Sequence, residues 1–438
     1  MLLVSIFQLF YEDPDLKHVG MTREGETGTL PTVVELRKPS YISSMQTPVR
    51  RVYLDHTATT PLDPGVFEAM KPFFSGRFGN ASSIHHFGRE ARAALDESRD
   101  TLARLIGAQS GEVFFVSGGT EANNFALKGA GRALMARGRN HIITDKSEHH
   151  AVLEPCAGLE QAGFEVTYLD VDGSGRVKVE DLRAAIRPQT GLISVMHANN
   201  EVGTINPVAG VARIAKAQGI LVHSDAVQSF GKIPVNVDLL GVDLLSLSAH
   251  KIYGPKGIGA LYVRKGIEIE RYLHGGGQER GRRAGTENVP GAVGFAEAAA
   301  AMQRQMEAER QRLVELKDRL RSSLRERHPW LLFNGDQTPS GALSHILSVS
   351  FDSERIRIDG EALLFNLDLA GIAVTSGSAC TSGSMEPSHV LLAMGRDPAT
   401  AKAAIRFSMG RSTTEEDIDY TAGVLTDIVE RIGQKVSS

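Results

Sequence analysis

Residues 246 to 259 read Ser246-Leu247-Ser248-Ala249-His250-Lys251-Ile252-Tyr253-Gly254-Pro255-Lys256-Gly257-Ile258-Gly259. The apolar run from Val242 to Leu247 predicts a buried strand, and the polar turn after it brings Ser248, His250 and Lys251 together. The glycines and the proline that follow are typical of a tight turn. A lysine on such a turn can form a Schiff base with a carbonyl compound. The alternative for a lone lysine is a solvated surface position.

A second strand end favours the chemical interpretation of Lys251. The apolar run Ile220-Leu221-Val222 is followed by His223-Ser224-Asp225-Ala226-Val227-Gln228. An aspartate at a strand end can pair with the nitrogen of a pyridine ring, while a lysine on a later turn bonds the aldehyde of the same molecule. The two strand ends together therefore predict an enzyme that uses pyridoxal phosphate (PLP).

Composition excludes several classes of protein. The chain has 438 residues, of which 42% are hydrophobic and 23% charged, as in an ordinary globular protein. Its net charge of −4, without a basic block, gives no sign of nucleic-acid binding. With only Cys156 and Cys380, it has neither a disulfide framework nor a four-cysteine metal site of its own, and a reducing, cytoplasmic setting is expected. No apolar run predicts a membrane span, and the apolar start from Met1 to Phe10 lacks the basic residues of a signal peptide.

Strand and helix signals alternate along most of the chain, which predicts an α/β fold with a mostly parallel sheet covered on both faces. A first strand is predicted at 51–55. The strands predicted for the large domain are 112–116, 141–144, 164–169, 192–197, 220–223, 243–247 and 259–263. The smaller α+β domain is predicted to contain strands 345–351 and 404–408, helix 360–369, and a last helix opened by a capping signal from Thr413 to Glu416. A long helix over 291–328 connects the two domains.

The predicted domain organisation has three parts. Residues 1–48 are expected to be a poorly ordered extension, within which Met21 and Met45 are alternatives to Met1 as the translation start. Residues 61–300 are expected to form the large PLP-binding domain. Residues 49–60 and 301–438 are expected to form the small C-terminal domain, which carries the loop around Cys380.

Other polar groups follow predicted strands. Ser117-Gly118-Gly119-Thr120-Glu121 opens a helix, where free N–H groups attract a phosphate, and Ser248 and His250 are further phosphate donors. His149 is interpreted as a ring that stacks on the cofactor and acts as an acid or base; the alternatives are an exposed loop or an incomplete metal site. An asparagine in the turn Asn199 to Gly203 could bind the cofactor or a substrate carboxylate, although alone it would be read as a turn residue.

Two residues in the smaller domain stand out. Cys380 lies in the small, polar stretch Thr375 to Ser384, a setting that suits an exposed and reactive thiol, whereas Cys156 lies in a helical apolar pattern and is predicted to be part of the core. Arg406 stands on a strand that is otherwise fit for burial, so it needs a carboxylate partner. That partner is either an Asp or Glu of the chain or the carboxylate of a bound amino acid.

From about Val52 to Leu425, the chain resembles the cysteine desulfurases, which are PLP enzymes of the class V aminotransferase group. The matching motifs are Tyr53 to Pro61, Ser117 to Glu121, Glu148-His149, Asn199 to Gly203, Asp225 to Gln228, Ser248 to Gly259, His274 to Gly281, Gly285-Thr286, Ser376 to Ser382 and Ile405 to Ser408. The stretch around Cys380 is similar to the long-loop branch of the family, the nitrogen-fixation and iron–sulfur assembly type. His56 and Ala81 depart from the family pattern, at positions that are not primary catalytic ones.

The resemblance implies the fold of aspartate aminotransferase (fold type I) and a role for each matching residue. Lys251 would hold PLP, Asp225 would pair with the ring nitrogen, Gln228 would bond the phenolic oxygen, and His149 would stack on the ring. The phosphate would be held by Gly119, Thr120, Ser248 and His250, together with Thr286 from the neighbouring subunit. The substrate carboxylate would be bound by Asn200 and Arg406. Cys380 would be the nucleophile. The reach of Thr286 implies an obligate homodimer.

The activity implied is the removal of sulfur from L-cysteine, which gives L-alanine and a persulfide on Cys380. The sulfur would pass to an iron–sulfur scaffold protein or to another thio-cofactor or tRNA-thiolation acceptor, and Cys380 would at most be a transient cluster ligand shared with that partner. No resident metal, nucleic acid or membrane is expected. The alternatives within enzymes are a selenocysteine lyase or another class V aminotransferase. The alternative outside enzymes is a sulfur-relay or scaffold protein whose PLP site only stabilises the fold.

Overall fold

The computed structural model describes residues 50–338, 340–377 and 386–436. The strands are β1 (Val52–Tyr53), β2 (Val113–Val116), β3 (His141–Asp145), β4 (Glu165–Leu169), β5 (Thr190–Ser194), β6 (Leu221–Asp225), β7 (Leu244–Ser248), β8 (Gly259–Val263), β9 (Leu331–Asn334), β10 (Ile346–Phe351), β11 (Ile356–Arg357), β12 (Ile372–Ala373), β13 (Ala404–Ser408) and β14 (Gln434–Lys435). The predicted extension, residues 1–48, and Cys380 lie outside the described residues.

The α-helices are α1 (Pro64–Met70), α2 (His86–Ile106), α3 (Gly119–Asn124), α4 (Ala130–Met135), α5 (His150–Gln161), α6 (Val179–Ala185), α7 (Val208–Ala217), α8 (Val237–Leu240), α9 (Val289–Arg327), α10 (Gly360–Leu369), α11 (His389–Ala393), α12 (Pro398–Lys402) and α13 (Glu415–Ile432). A π-helical turn, Phe125–Gly129, joins α3 to α4. Short 3₁₀ turns lie at Lys71–Phe74, Ser110–Glu112, Ala249–Lys251 and Glu279–Gly281. None of the helices in the described ranges is both long and apolar enough to span a lipid bilayer.

The central sheet has seven strands in the order β2-β8-β7-β6-β5-β3-β4. The pairs β4–β3, β3–β5, β5–β6 and β6–β7 are parallel, whereas β8 runs antiparallel to both of its neighbours. The predicted α/β fold with a mostly parallel sheet is therefore confirmed. The direction of the chain reverses across the sheet between β3 and β5, which is where such sheets bind ligands.

Both faces of this sheet are covered, and most positions along its strands are buried whichever face they point to. Along β2, Val113 and Phe115 belong to one apolar cluster, while Phe114 and Val116 belong to another. The first cluster includes α2, α7 and the first part of α9, and the second includes α3, α4 and α5. A sheet buried on both faces loses the polar alternation of a half-exposed strand, as the continuous apolar runs of the sequence predicted.

Helix α9 has 39 residues and is therefore about 58 Å long. Its residue Met302 packs in the first cluster, whereas Leu313 to Leu324 pack in a separate cluster with β10, β13, α10 and α13. The strands of this second region form an antiparallel sheet in the order β13-β10-β9. The domain boundaries predicted at residues 49, 61 and 301 stay predictions.

Several element ends differ from the prediction. The stretch Ser117 to Glu121, which was predicted to open a helix, already contains the first helical residues, because the helix begins at Gly119. The capping signal predicted for the last helix was wrong by one residue: Thr414 caps α13 by accepting from the backbone N–H of Asp417, whose side chain accepts in turn from the N–H of Thr414. Thr413 instead accepts from the N–H of Gly410 at 2.9 Å, so its hydroxyl serves the preceding turn.

Candidate active site

A cavity of about 390 Å³ lies at the carboxyl ends of the sheet strands. Strands β3, β5, β6 and β7 are parallel and end at one edge of the sheet, and β2 ends there too because β8 is antiparallel to both β7 and β2. The cavity has the size of a small-ligand pocket. It is lined by ten of the residues that the sequence singled out, namely Gly119, Thr120, His149, Asn200, Asp225, Gln228, Ser248, His250, Lys251 and Arg406. Thr286 is exposed and does not line the cavity.

Lys251 ends the 3₁₀ turn that follows β7, and its amine reaches into the cavity. Its Nζ donates hydrogen bonds to the carbonyl oxygens of Thr57 and, at 2.8 Å, of Ala58. Burial, and next the nearby charge of Arg406, lower the pKa of Lys251 to about 8. At pH 7 roughly a tenth of this amine is therefore unprotonated, which is the state that attacks an aldehyde.

The lowered pKa predicts how the reactivity of Lys251 depends on pH. In cofactor-free protein, competitive labelling with acetic anhydride should rise as the pH passes through about 8, because the neutral amine is the reactive form. N-α-acetyl-lysine, labelled in the same tube, should follow an ordinary lysine pKa of about 10.4. Mass spectrometry of the peptide that contains Lys251 measures the profile. A profile that coincides with that of the free amino acid would contradict the prediction.

Asp225 ends β6 and is only 7% exposed. Its carboxylate accepts from the Asn123 side-chain amide at 2.6 Å and from the backbone N–H of Val227 at 2.9 Å. These donors fix the orientation of the carboxylate. Gln228, one turn later, donates from Nε2 to the carbonyl oxygen of Thr57 at 3.1 Å. The carboxylate is thus suited to hold a protonated ring nitrogen.

His149 caps the N-terminus of α5, and its Nδ1 accepts from the backbone N–H of Ala151 at 3.0 Å. The lone pair of Nδ1 is therefore engaged, and the hydrogen of the neutral ring lies on Nε2. Desolvation is the largest of the influences that lower the pKa of His149, although the Asp225 charge opposes it. Glu148, directly before it, is fully buried, and burial together with the charges of Asp145 and Asp225 raises its pKa well above the usual value. The neutral ring of His149 can therefore donate a hydrogen bond from Nε2, and it takes up a second proton only where Nδ1 gives up the hydrogen bond from Ala151.

Several buried polar groups have no partner among the residues that the structure describes. The Ser248 hydroxyl and the Asn200 amide oxygen form no hydrogen bond to any residue that the structure describes. Next to Ser248, a Cβ at Gly119 would lie 2.8 Å from a methyl group of Val227, so a side chain would fill this part of the cavity. Buried polar groups normally have partners, so these groups fit a polar ligand that reaches between Gly119 and Ser248. A phosphate there would also meet the first N–H groups of α3.

Arg406 lies on β13 and is 5% exposed. Its guanidinium forms an ion pair with Asp55 at 2.9 Å and donates to the carbonyl oxygen of Asn200 at 2.9 Å. Of the two partners that the sequence left open, the structure contains a carboxylate of the chain itself. The Nε–H of Arg406 is nevertheless buried and unpartnered within the described residues, so one donor is left for a ligand.

The family follows from comparison of the chain with known proteins. The class-V aminotransferase family model matches residues 52–421. The chain belongs to this family. The cysteine desulfurase IscS of Dictyoglomus turgidum (strain DSM 6724 / Z-1310) is 53% identical over 383 residues, which cover 87% of this chain and 95% of that protein.

Two solved structures extend the comparison. A NifS-like protein is 40% identical, with a TM-score of 0.81, over 87% of this chain and 100% of that one. SspA in complex with cysteine is 36% identical, with a TM-score of 0.70, over 82% of this chain and 98% of that one. These matches confirm the resemblance to the cysteine desulfurases and the aminotransferase-like fold.

The cavity of this class-V aminotransferase also contains groups that the sequence did not single out. Asn123 orients Asp225, Asp55 pairs with Arg406, and the carbonyl oxygens of Thr57 and Ala58 accept from Lys251. The sequence gives one indication that Asn123 is buried, because this polar residue is followed by the apolar core residues Phe125 and Ala126. The carbonyl groups carry none, because every residue has one.

Proposed function

We propose that this class-V aminotransferase is a cysteine desulfurase, which takes the sulfur of L-cysteine, releases L-alanine and keeps the sulfur as a persulfide on Cys380. One observation carries the proposal: a single cavity combines the Lys251 amine, the oriented Asp225 carboxylate and the unpartnered Nε–H of Arg406. A solved relative binds cysteine, and a relative with 53% identity is named a cysteine desulfurase. Both support the same substrate.

The donor set of the cavity fits PLP. Lys251 would hold the cofactor covalently, Asp225 its ring nitrogen, and Gln228 its phenolic oxygen. The phosphate would lie with Gly119, Thr120, Ser248 and His250, whose ring is neutral at pH 7 because burial lowers its pKa to about 4. When bound, PLP supplies an electron-accepting ring that makes the Cα hydrogen of an attached amino acid acidic.

The substrate carboxylate has two ligands in the proposed site, the Nε–H of Arg406 and the side-chain amide of Asn200. The Nε–H of Arg406 has no partner among the described residues. Asn200 would bind the carboxylate through the N–H groups of its side-chain amide, since its unpartnered Oδ1 is a hydrogen-bond acceptor. The Asp55 carboxylate holds the far side of the guanidinium, so Arg406 cannot swing away when a substrate binds. A two-point contact of this kind fixes the orientation of the amino acid.

Two groups move protons in the proposed reaction. The Nζ of Lys251, with a pKa of about 8, can accept a proton from the substrate Cα and return it. His149 would donate a proton from Nε2 as the carbon–sulfur bond breaks when its ring is doubly protonated, a form in which Nδ1 gives up the hydrogen bond from Ala151.

The Cys380 thiolate would attack the substrate sulfur. A sulfur–sulfur bond then forms while the carbon–sulfur bond breaks. The electron pair of the broken bond stays on the carbon skeleton, which takes up protons to become alanine, and the enzyme thiol becomes a persulfide.

We also propose a homodimer, in which Thr286 of each chain helps to hold the phosphate of the other. The exposure of Thr286, together with the 91% exposed Ile84 and the 65% exposed Phe78, supports a surface that a second copy covers. The proposed sulfur acceptor is an iron–sulfur scaffold protein or another thiolation partner. A cytoplasmic location is proposed from the cysteine content alone.

The decisive test is the product balance with L-cysteine. Purified holoenzyme with L-cysteine and dithiothreitol should give alanine and sulfide in equal amounts over many turnovers. An aminotransferase would instead give a keto acid and stop without an amino acceptor, and a selenocysteine lyase would give alanine from selenocysteine but not from cysteine. The absence of both products from cysteine, with the cofactor bound, would reject the proposed function and leave the non-catalytic alternative.

A further inference from the structure

Glu201 is a buried carboxylate that the proposed reaction does not use. It is 3% exposed and follows Asn200, which lines the cavity. Its backbone N–H donates to the side chain of Asn199 at 2.8 Å, and the Asn199 amide donates to the carbonyl oxygen of Ser147 at 2.9 Å. These bonds fix Glu201 to the wall of the cavity near His149. A buried carboxylate in so rigid a place needs a partner for its charge.

One partner lies on the C-terminal side of the segment that carries Cys380. The Ser388 hydroxyl donates to Oε2 of Glu201 at 2.5 Å and accepts from the backbone N–H of Leu391 at 3.2 Å. Ser388 is thus both the N-cap of α11 and a ligand of the carboxylate, and it is 1% exposed. A hydrogen bond from a hydroxyl to a buried carboxylate is charge-assisted and strong.

The N-terminal side of the same segment meets the same oxygen. Gly377 has a φ of +97°, and a Cβ there would lie 2.8 Å from Oε2 of Glu201. The residue therefore has to be glycine for the chain to pass the carboxylate this closely. Two residues earlier, the Thr375 carbonyl oxygen accepts from the N–H of Arg406 at 2.6 Å. Oε2 of Glu201 thus lies against Gly377, the last described residue before the Cys380 segment, and accepts from Ser388, which caps the first helix after that segment.

We propose that Glu201 is a positioning residue that fixes Gly377 and Ser388, the described residues on either side of Cys380. The reach of a chain segment depends on where its two ends are held, so moving either end changes how often a group between them meets a reactant. Glu201 acts through Gly377 and Ser388, and it is not among the residues that line the cavity. The inference rests on the proposed function only in its prediction for sulfur transfer to Cys380. Its prediction for the alkylation of Cys380 does not require that function.

The test compares Ser388→Ala and Glu201→Ala with wild-type holoenzyme. The first readout is the rate at which iodoacetamide alkylates Cys380, followed by mass spectrometry; it requires no turnover. Cys156 is 0% exposed, so its labelling reports any loss of folding in the same sample. The matched control is Asp397→Ala, which removes the N-cap of another five-residue helix, α12, without touching Glu201. Glu201→Gln keeps an acceptor for the Ser388 hydroxyl and should lie closer to wild type than Glu201→Ala.

We expect Cys380 to be alkylated at least about three times faster in Ser388→Ala and Glu201→Ala, with Cys156 still protected and Asp397→Ala unchanged. In a single turnover, sulfur transfer to Cys380 should slow roughly tenfold, while the absorbance change on cysteine binding persists. Wild-type rates in both variants would overturn the inference, and so would an equal change in Asp397→Ala. If wild-type enzyme forms no persulfide, the proposed function fails, whereas the alkylation comparison still decides the role of Glu201.

Discussion

Replacing Lys251 with alanine is expected to give a folded protein that keeps no covalent PLP and releases alanine from cysteine at least about ten-thousand-fold more slowly. Among the described residues that line the cavity, Lys251 is the only lysine. No described neighbour in the cavity can replace it, because His149 and His250 are imidazoles and the guanidinium of Arg406 is paired with Asp55. The same change therefore removes the cofactor attachment and the base at the substrate Cα.

The measurement has two parts. Visible absorbance after dialysis reports the imine, and an alanine assay reports turnover. Lys256→Ala is the matched control, since Lys256 is exposed on the same turn and does not line the cavity. Circular dichroism separates a cofactor defect from a folding defect, because Lys251→Ala also removes hydrogen bonds to two carbonyl groups. Cysteine turnover near the wild-type rate in Lys251→Ala would show that this lysine has been assigned the wrong role.

Much of the fold could be predicted because its strands are short, apolar and bounded by turn residues. Strand β8, helix α10 and strand β13 begin and end where the sequence placed them, and each is flanked by residues that mark a boundary. Strand β5 was predicted at 192–197 but lies at Thr190–Ser194. Its ends are set by hydrogen bonds to β3 and β6, which the local sequence does not contain. The choice between Thr413 and Thr414 as the helix cap is likewise decided by hydrogen bonds, which the sequence of two adjacent threonines does not reveal.

The candidate site was predictable where a chemical group is rare and lies at a strand end. Lys251, Asp225 and Ser248 meet both conditions, and all three line the cavity. The groups that support them come from far along the chain: Asp55 reaches Arg406 across 351 positions, and Lys251 bonds to carbonyl oxygens more than 190 positions away. Nothing in the local sequence marks such partners, because only the tertiary fold brings them together.

The second large effect is expected for Cys380→Ser. The variant should bind PLP and show the absorbance change on cysteine addition, because Lys251, Asp225 and Arg406 are unchanged. It should form no persulfide and release alanine at least about a thousand-fold more slowly, since a hydroxyl is far less nucleophilic than a thiolate at neutral pH. Mass spectrometry for one added sulfur atom on the Cys380 peptide, together with the alanine assay, measures both effects.

Cys156→Ala is the matched control, because Cys156 is the other cysteine of the chain and its surroundings do not suit sulfur transfer. Cys156 is 0% exposed on α5, and burial raises the pKa of its thiol to about 12, so its thiolate is scarce at neutral pH. Its replacement should lower the free energy of unfolding by roughly 1–2 kcal/mol through the small cavity it leaves, with alanine release unchanged. If Cys380→Ser kept its turnover and Cys156→Ala lost it, the sulfur would be carried by the buried thiol. That outcome would require α5 to open during each cycle, which hydrogen exchange of its backbone would reveal.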